Sequence, residues 1–380
     1  KGVVRDFSIY EGVMRSHLRM TYEKLASILV EGNQELAKEY EKFIPLFKLM
    51  EELAWILRKR REEIGSLDFD LPEPEFIFDE MGRIEKIRKL ERNIAHFIIE
   101  EFMLIANKHV AIFVSEKGFP MLYRCHAPPD EMKLESLREF LKIWGFTLPE
   151  KVKPKHLQKI LKKVEGTPHE HLVNTVILRS MMHAEYSPVN YGHFGLAFKY
   201  YTHFTSPIRR YPDLIVHRIL KDILHNKMSE RRVKYWKEKL PGIARHSSER
   251  EKIAEKAERE IVEYKKVEFM MDKVGEEYEG IVSGVSGVGF WVELKNYFIE
   301  GFVPLYSLTD DFYRFSPKTY SIVGMRSGRS FQIGDEVKVK VVRVDLTERQ
   351  IELNVVGIER RKSKRKKARK KRRKKKGRKK

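Results

Sequence analysis

A single cysteine, Cys125, occurs among the 380 residues, which excludes an internal disulfide and suits a reducing compartment such as the cytoplasm. No apolar run approaches the roughly 18–20 residues of a membrane-spanning helix, and no signal peptide is visible. Internal repeats are lacking as well. An initiating methionine is also missing: Lys1 leads straight into a strand-like stretch over residues 2–10, so further sequence is expected upstream.

What is abundant is positive charge, and it is concentrated. Of 76 Lys and Arg residues, 18 fall in residues 360–380, which leaves 58 against 55 acidic residues in the rest. The formal net charge of +21 therefore belongs almost wholly to the tail. Such a run repels itself and buries no apolar area, so residues 358–380 are expected to be disordered. Its natural partner is a polyanion (RNA, DNA or the ribosome), bound by sequence-blind counterion release. A membrane surface fits less well, because no lipid anchor or amphipathic apolar face adjoins the run.

The length implies two or three domains. Apolar residues at three- and four-residue steps predict a helix over 34–63, stopped by Gly65. Residues 76–84 read as strand, turn and strand. Helices are expected near 22–29, 93–114, 131–144, 155–164, 171–184 and 213–225, and a charged helical connector over 229–272. From about Glu276 the pattern changes to five short glycine-separated strands, which suggest a small closed barrel of OB type. The fold class is α+β. Its expected parts are a mainly helical region (1–273), the barrel (274–357) and the basic tail (358–380).

The segment Tyr201–Leu214, Tyr-Thr-His-Phe-Thr-Ser-Pro-Ile-Arg-Arg-Tyr-Pro-Asp-Leu, carries the densest chemistry. Adjacent guanidiniums, hydroxyls and aromatic rings surround a proline-marked junction from loop to helix. Backbone N–H groups left unpaired at such a junction suit a phosphate, and arginines add forked, charge-assisted bonds. A capped surface helix with a salt-bridged arginine pair is the plainer alternative.

Several stretches in order resemble the RNB family, the ribonuclease II and ribonuclease R exoribonucleases. They include Arg15–Tyr22, Leu67–Pro74, Glu100–Asn107, Tyr123–Pro129 and Tyr191–Leu196, leading into Tyr201–Leu214. The barrel resembles the S-one-type RNA-binding domain that follows RNB domains, and the tail is more like ribonuclease R than ribonuclease II. The resemblance implies the C-terminal part of a magnesium-dependent exoribonuclease that works processively from the RNA 3′ end and releases nucleoside 5′-monophosphates. It also implies a metal-binding cluster of the form Asp-Pro-x-Asp-Ala-x-Asp. No such cluster occurs in this sequence. It is expected upstream, so the chain alone is expected to bind RNA without hydrolysing it. The alternative is a non-catalytic RNA-binding protein derived from such an enzyme.

By motif match, Arg209 is the expected cation that offsets charge on the phosphate. The competing reading for Arg209 is an ion pair with Asp213 one turn on. Arg210 either shares the phosphate or binds within the protein. The resemblance makes Tyr22 and Phe69 stacking partners of the last bases, and Glu100 a ribose-facing carboxylate, with Glu101 the competing assignment. His203, Thr205 and Ser206 are expected to orient Arg209 or touch phosphate. In the barrel, Phe290, Phe302 and Arg343 are the expected RNA contacts. Strand alternation puts Phe290 and Trp291 on opposite faces, and the match to the family pattern Gly-x-Phe-Val favours Phe290 outside and Trp291 inside.

Overall fold

The computed structural model describes residues 2–67, 74–90, 92–167, 170–295, 297–316, 319 and 321–358. Phe69 and the basic run 360–380 lie outside them. Residues 2–20 hold no helix or strand. The apolar alternation over 2–10 predicts a strand, but a strand needs a neighbour for its N–H and C=O groups, and no described strand pairs with it.

Three helices follow: α1 (Tyr22–Leu29), α2 (Gln34–Glu39) and α3 (Ile44–Ile64). Thr21 and Asn33 cap α1 and α2 through their side-chain oxygens. The single helix expected over 34–63 is broken by a 3-10 turn at Glu41–Phe43, and Pro45 opens α3, where its missing N–H costs nothing. Gly65 closes α3 at φ 100°, a conformation that a side chain would strain.

A hairpin of β1 (Pro74–Phe78) and β2 (Ile84–Lys89) precedes α4 (Ile94–Glu116). Then come β3 (Tyr123–Cys125), α5 (Glu131–Ile143), α6 (Pro154–Val164), α7 (Glu170–Ser180) and β4 (Glu185–Ser187), with β4 antiparallel to β3. Next are α8 (Tyr211–Leu224) and the long α9 (Glu230–Met270). Among the described residues, no helix is long and apolar enough to cross a membrane.

The second half is β-rich. Strands β5 (Glu277–Ser286), β6 (Gly289–Leu294), β7 (Ile299–Pro304), β11 (Glu336–Asp345) and β12 (Gln350–Val355) close a five-stranded barrel in the order β11-β12-β7-β6-β5. Between β7 and β11, β8 (Tyr313–Ser316), β9 (Ser321–Gly324) and β10 (Ser330–Gln332) form a separate three-stranded sheet that the sequence reading does not anticipate.

The chain divides into two compact units, residues 1–71 with 91–257, and residues 72–90 with those from 258 onward. In the first, Leu25, Phe47, Ala95 and Ile98 bury the contact among α1, α3 and α4. Val110, Leu122, Ile215 and Leu240 join α4, the segment before β3, α8 and α9. In the second, Phe290, Val292, Val339 and Leu353 fill the barrel, and Ile87 of the hairpin packs into the same core.

Candidate functional site

Helix α4 organises the site. Asn93 caps it, accepting from the Ala95 N–H at 3.0 Å, and the following residues present His96, Glu100 and Asn107 at spacings of four and seven, on one face. With Tyr22, Arg92, Tyr201 and Arg210 these side chains line a cleft of about 320 Å³. Tyr22 is half-exposed there and stacks on the His96 ring, centroids 4.3 Å apart.

The two adjacent glutamates have different environments. Glu101 is buried and accepts from Arg61 Nη2 at 2.7 Å and Nε at 3.0 Å, while Arg61 Nη1 reaches Ser66 Oγ at 3.0 Å. Glu100 lines the cleft, ion-paired to Arg92 and 3.5 Å from Arg61. Neighbours in a helix point about 100° apart, and of these two only Glu100 lines the cleft. Which one does so depends on packing that the motif alone leaves open.

Asn107, which sequence reasoning missed as a functional residue, clamps the Tyr201–Leu214 loop. Its Oδ1 accepts from the N–H groups of Phe204 at 2.9 Å and Thr205 at 3.2 Å, and its Nδ2 donates to the Tyr201 hydroxyl at 3.2 Å. Asp213, fully buried in the first turn of α8, accepts from the Ser206 N–H at 2.8 Å and from Arg210 Nη2 at 2.7 Å. The expectation of unpaired N–H groups waiting for a phosphate is therefore corrected at Phe204, Thr205 and Ser206. Burial would leave these donors costly without partners, and two side chains inside the chain satisfy them.

The ion pair weighed for Arg209 forms instead with Arg210. Arg209 is exposed, its Nε donating to Ser206 Oγ at 2.8 Å, and of the two it is Arg210 that lines the cleft. Arg210 Nε and Thr205 Oγ1 are buried without a hydrogen-bond partner among the described residues. Behind the loop, His203 lies 2.8 Å from the Tyr186 hydroxyl and edge-on to Tyr201. Burial holds His203 down to about 2 and pushes Tyr186 up to about 12, so both are neutral at physiological pH. Arg124 lies over the Tyr186 ring and bonds Glu251 at 2.5 Å.

A hard divalent cation needs several oxygen ligands. Among the described residues, no group of three or more His, Cys, Asp or Glu is placed to hold one. Glu100 on the cleft wall and the buried Glu101 behind it are each already ion-paired to an arginine. These residues do not fit the magnesium that the family resemblance implies.

The barrel face corrects one expected contact. Phe290 is 0% exposed and stacks on Phe331 inside, centroids 4.9 Å apart. Its alternate, Trp291, stands outside against Phe302 at 5.0 Å. The alternation was right and the choice of face wrong, because Phe290, Val292 and Leu294 together form the apolar side of β6. Across the strands, Trp291 pairs with Phe302, Phe302 with Glu352 and Glu352 with Arg343, a single outer row. Arg343 is exposed and bonds Asp345 at 2.5 Å.

A helical unit with an arginine-bearing cleft, joined to a five-stranded OB-type barrel, defines a class of nucleic-acid-handling proteins. Residues 1–226 match the RNB domain and residues 271–355 the S1 RNA binding domain, and the chain belongs to the RNB family. It is 44% identical to ribonuclease R of Aquifex aeolicus over 359 residues, covering 93% of this chain and 50% of that protein. To ribonuclease R of Escherichia coli it is 38% identical over 369 residues, covering 95% of this chain and 45% of the relative. Among solved structures, Mycoplasma genitalium RNase R in complex with ribose methylated single-stranded RNA aligns with TM-score 0.79 at 25% identity, covering 88% of this chain and 53% of that one. The chain thus spans about half the length of the curated relatives it matches.

Proposed function

We propose that this chain carries the RNA-gripping part of a 3′→5′ exoribonuclease site of ribonuclease R type, acting in RNA degradation in the cytoplasm. The observation that carries the reading is the convergence of Tyr22, Glu100 and Arg210 on one cleft beside the Tyr201–Leu214 loop. Tyr22, backed by His96, offers a π-face to a terminal base, a contact worth about 1–3 kcal/mol. Arg209 and Arg210 offset charge on the phosphate. Asn107 and Asp213 hold the loop that bears them. Glu100 accepts from a ribose hydroxyl once Arg92 gives way, which favours RNA over DNA. Phe69 is assigned a second stacking contact on motif grounds alone.

The magnesium ligands of the complete enzyme are assigned to an aspartate cluster outside this sequence, and the chain alone is taken to bind RNA without cutting it. On the barrel, Trp291, Phe302 and Arg343 form the proposed RNA row. The tail adds sequence-blind affinity for RNA and, through the same chemistry, for ribosomes. A second reading, a non-catalytic RNA-binding protein, draws on the pairing of both Glu100 and Glu101 with arginines.

The test is affinity for a single-stranded RNA with a free 3′ end, measured at high salt to suppress the tail. Tyr22→Ala and Arg209→Ala are each expected to weaken binding about tenfold, in line with one lost stack or phosphate contact. Unchanged affinity in the Tyr22 variant would remove the cleft from the RNA path, and in the Arg209 variant would remove that guanidinium from the phosphate contact.

A further inference from the structure

We propose that a second cavity of the helical unit binds a nucleoside 5′-monophosphate. It measures about 560 Å³, a size typical of small-molecule sites, and is walled by the Asn190–Lys199 loop, His126, Pro128 and the start of α6. Lys153, Lys155 and Lys199 all line it and all are exposed, and none of the described residues lining it is Asp or Glu. Lys155 Nζ gives one bond to the Glu63 carbonyl at 3.2 Å, which leaves two of an ammonium's three donors for an anion.

The remaining wall carries no charge. His126 Nδ1 accepts from the Gly195 N–H at 3.0 Å while its Nε2–H donates to the Met182 carbonyl at 2.8 Å, and His193 Nδ1 accepts from the Leu196 N–H at 3.1 Å. Burial lowers both histidines, His193 to about 3, so the positive charge comes from the lysines. Tyr191 is 44% exposed, its ring fixed by a hydroxyl that donates to Glu185 at 2.5 Å, and Phe194 lies nearby on the same loop. Lysines without a facing carboxylate take a phosphate, and aromatic faces take a base. A ligand with both is a nucleotide.

The cavity lies one ring away from the cleft. His193 lines the cavity, Tyr201 lines the cleft, and their rings meet edge to face at 5.3 Å. We assign to this cavity a mononucleotide released in the adjoining cleft. That assignment to a reaction product rests on the exoribonuclease reading, whereas the binding chemistry does not.

Isothermal titration of the full chain with AMP, adenosine and inorganic phosphate tests the site without requiring hydrolysis, so failure of the enzymatic reading leaves it readable. Saturable AMP binding at one site is expected, at least tenfold tighter than adenosine or phosphate. Lys153→Ala with Lys199→Ala should weaken AMP at least tenfold with an unchanged melting temperature, and the corresponding double Gln variant serves if that protein does not fold. No saturable AMP binding, or AMP binding unaltered by the double substitution, would overturn the site. A single-stranded RNA oligomer losing as much affinity as AMP in the same variant would show that the cavity takes the strand, and would overturn the product assignment.

Discussion

At the residue scale, the Tyr201–Leu214 junction depends on two side chains that bind its backbone. Asn107 and Asp213 between them satisfy three consecutive backbone N–H groups, from Phe204 to Ser206. The motif showed that arginines and hydroxyls cluster here, but it did not show how they are held. Asn107 lies about a hundred residues upstream, and one signal was available: it shares a helix face with Glu100, seven positions earlier. The buried histidines give a pH prediction. His203 and His193 have folded values near 2 and 3, below the ordinary value near 6.5, because burial disfavours their charged forms. Between about pH 3 and 6.5 the unfolded chain therefore binds more protons than the folded one, so stability is complete above pH 6.5 and falls as the pH drops. Thermal melts of the helical unit should lose about 1 kcal/mol per pH unit for each histidine below pH 6. His203→Gln should flatten that slope. A slope unchanged by this substitution would mean that the His203 ring is not held neutral.

At the element scale, the five-stranded barrel was legible because glycine turns and alternating apolar residues leave few other closures. The three-stranded sheet after β7 was not, since its strands are only three or four residues long and too short to show a period. Strand β6 shows where pattern reading stops. Alternation separates Phe290 from Trp291 but does not say which side is the core. Three apolar residues share the parity of Phe290, whereas Trp291 shares its side with Glu293, and counting both sides would have decided it. Gly289 adds a constraint: a Cβ there would lie 2.3 Å from the Val303 carbonyl oxygen, so β6 and β7 approach as closely as they do only with glycine. Phe290→Ala should destabilise the barrel by about 3–5 kcal/mol, read from denaturant unfolding, with the cavity it leaves as the cause. Trp291→Ala should leave stability nearly unchanged and weaken RNA binding severalfold. The reverse pattern would put Phe290 back on the RNA face.

At the scale of the whole molecule, charge is divided by task. The body is close to neutral, the basic run carries the net charge, and the cleft is lined by two arginines, Arg92 and Arg210. The ordered motifs made the RNB family legible before any coordinates, since they run in one order along most of the chain. What remained hidden was the electrostatic state of the cleft. Sequence gives two glutamates and several arginines but not their pairing, which ties both carboxylates to arginines. We propose that the chain grips RNA without cutting it. A 5′-labelled RNA with a single-stranded 3′ end, incubated with the chain and magnesium and followed for both retention and length, tests this directly. The expected result is RNA that stays bound and full-length. Steady release of nucleoside 5′-monophosphates would contradict it, and would mean that residues within this sequence hold the metal after all.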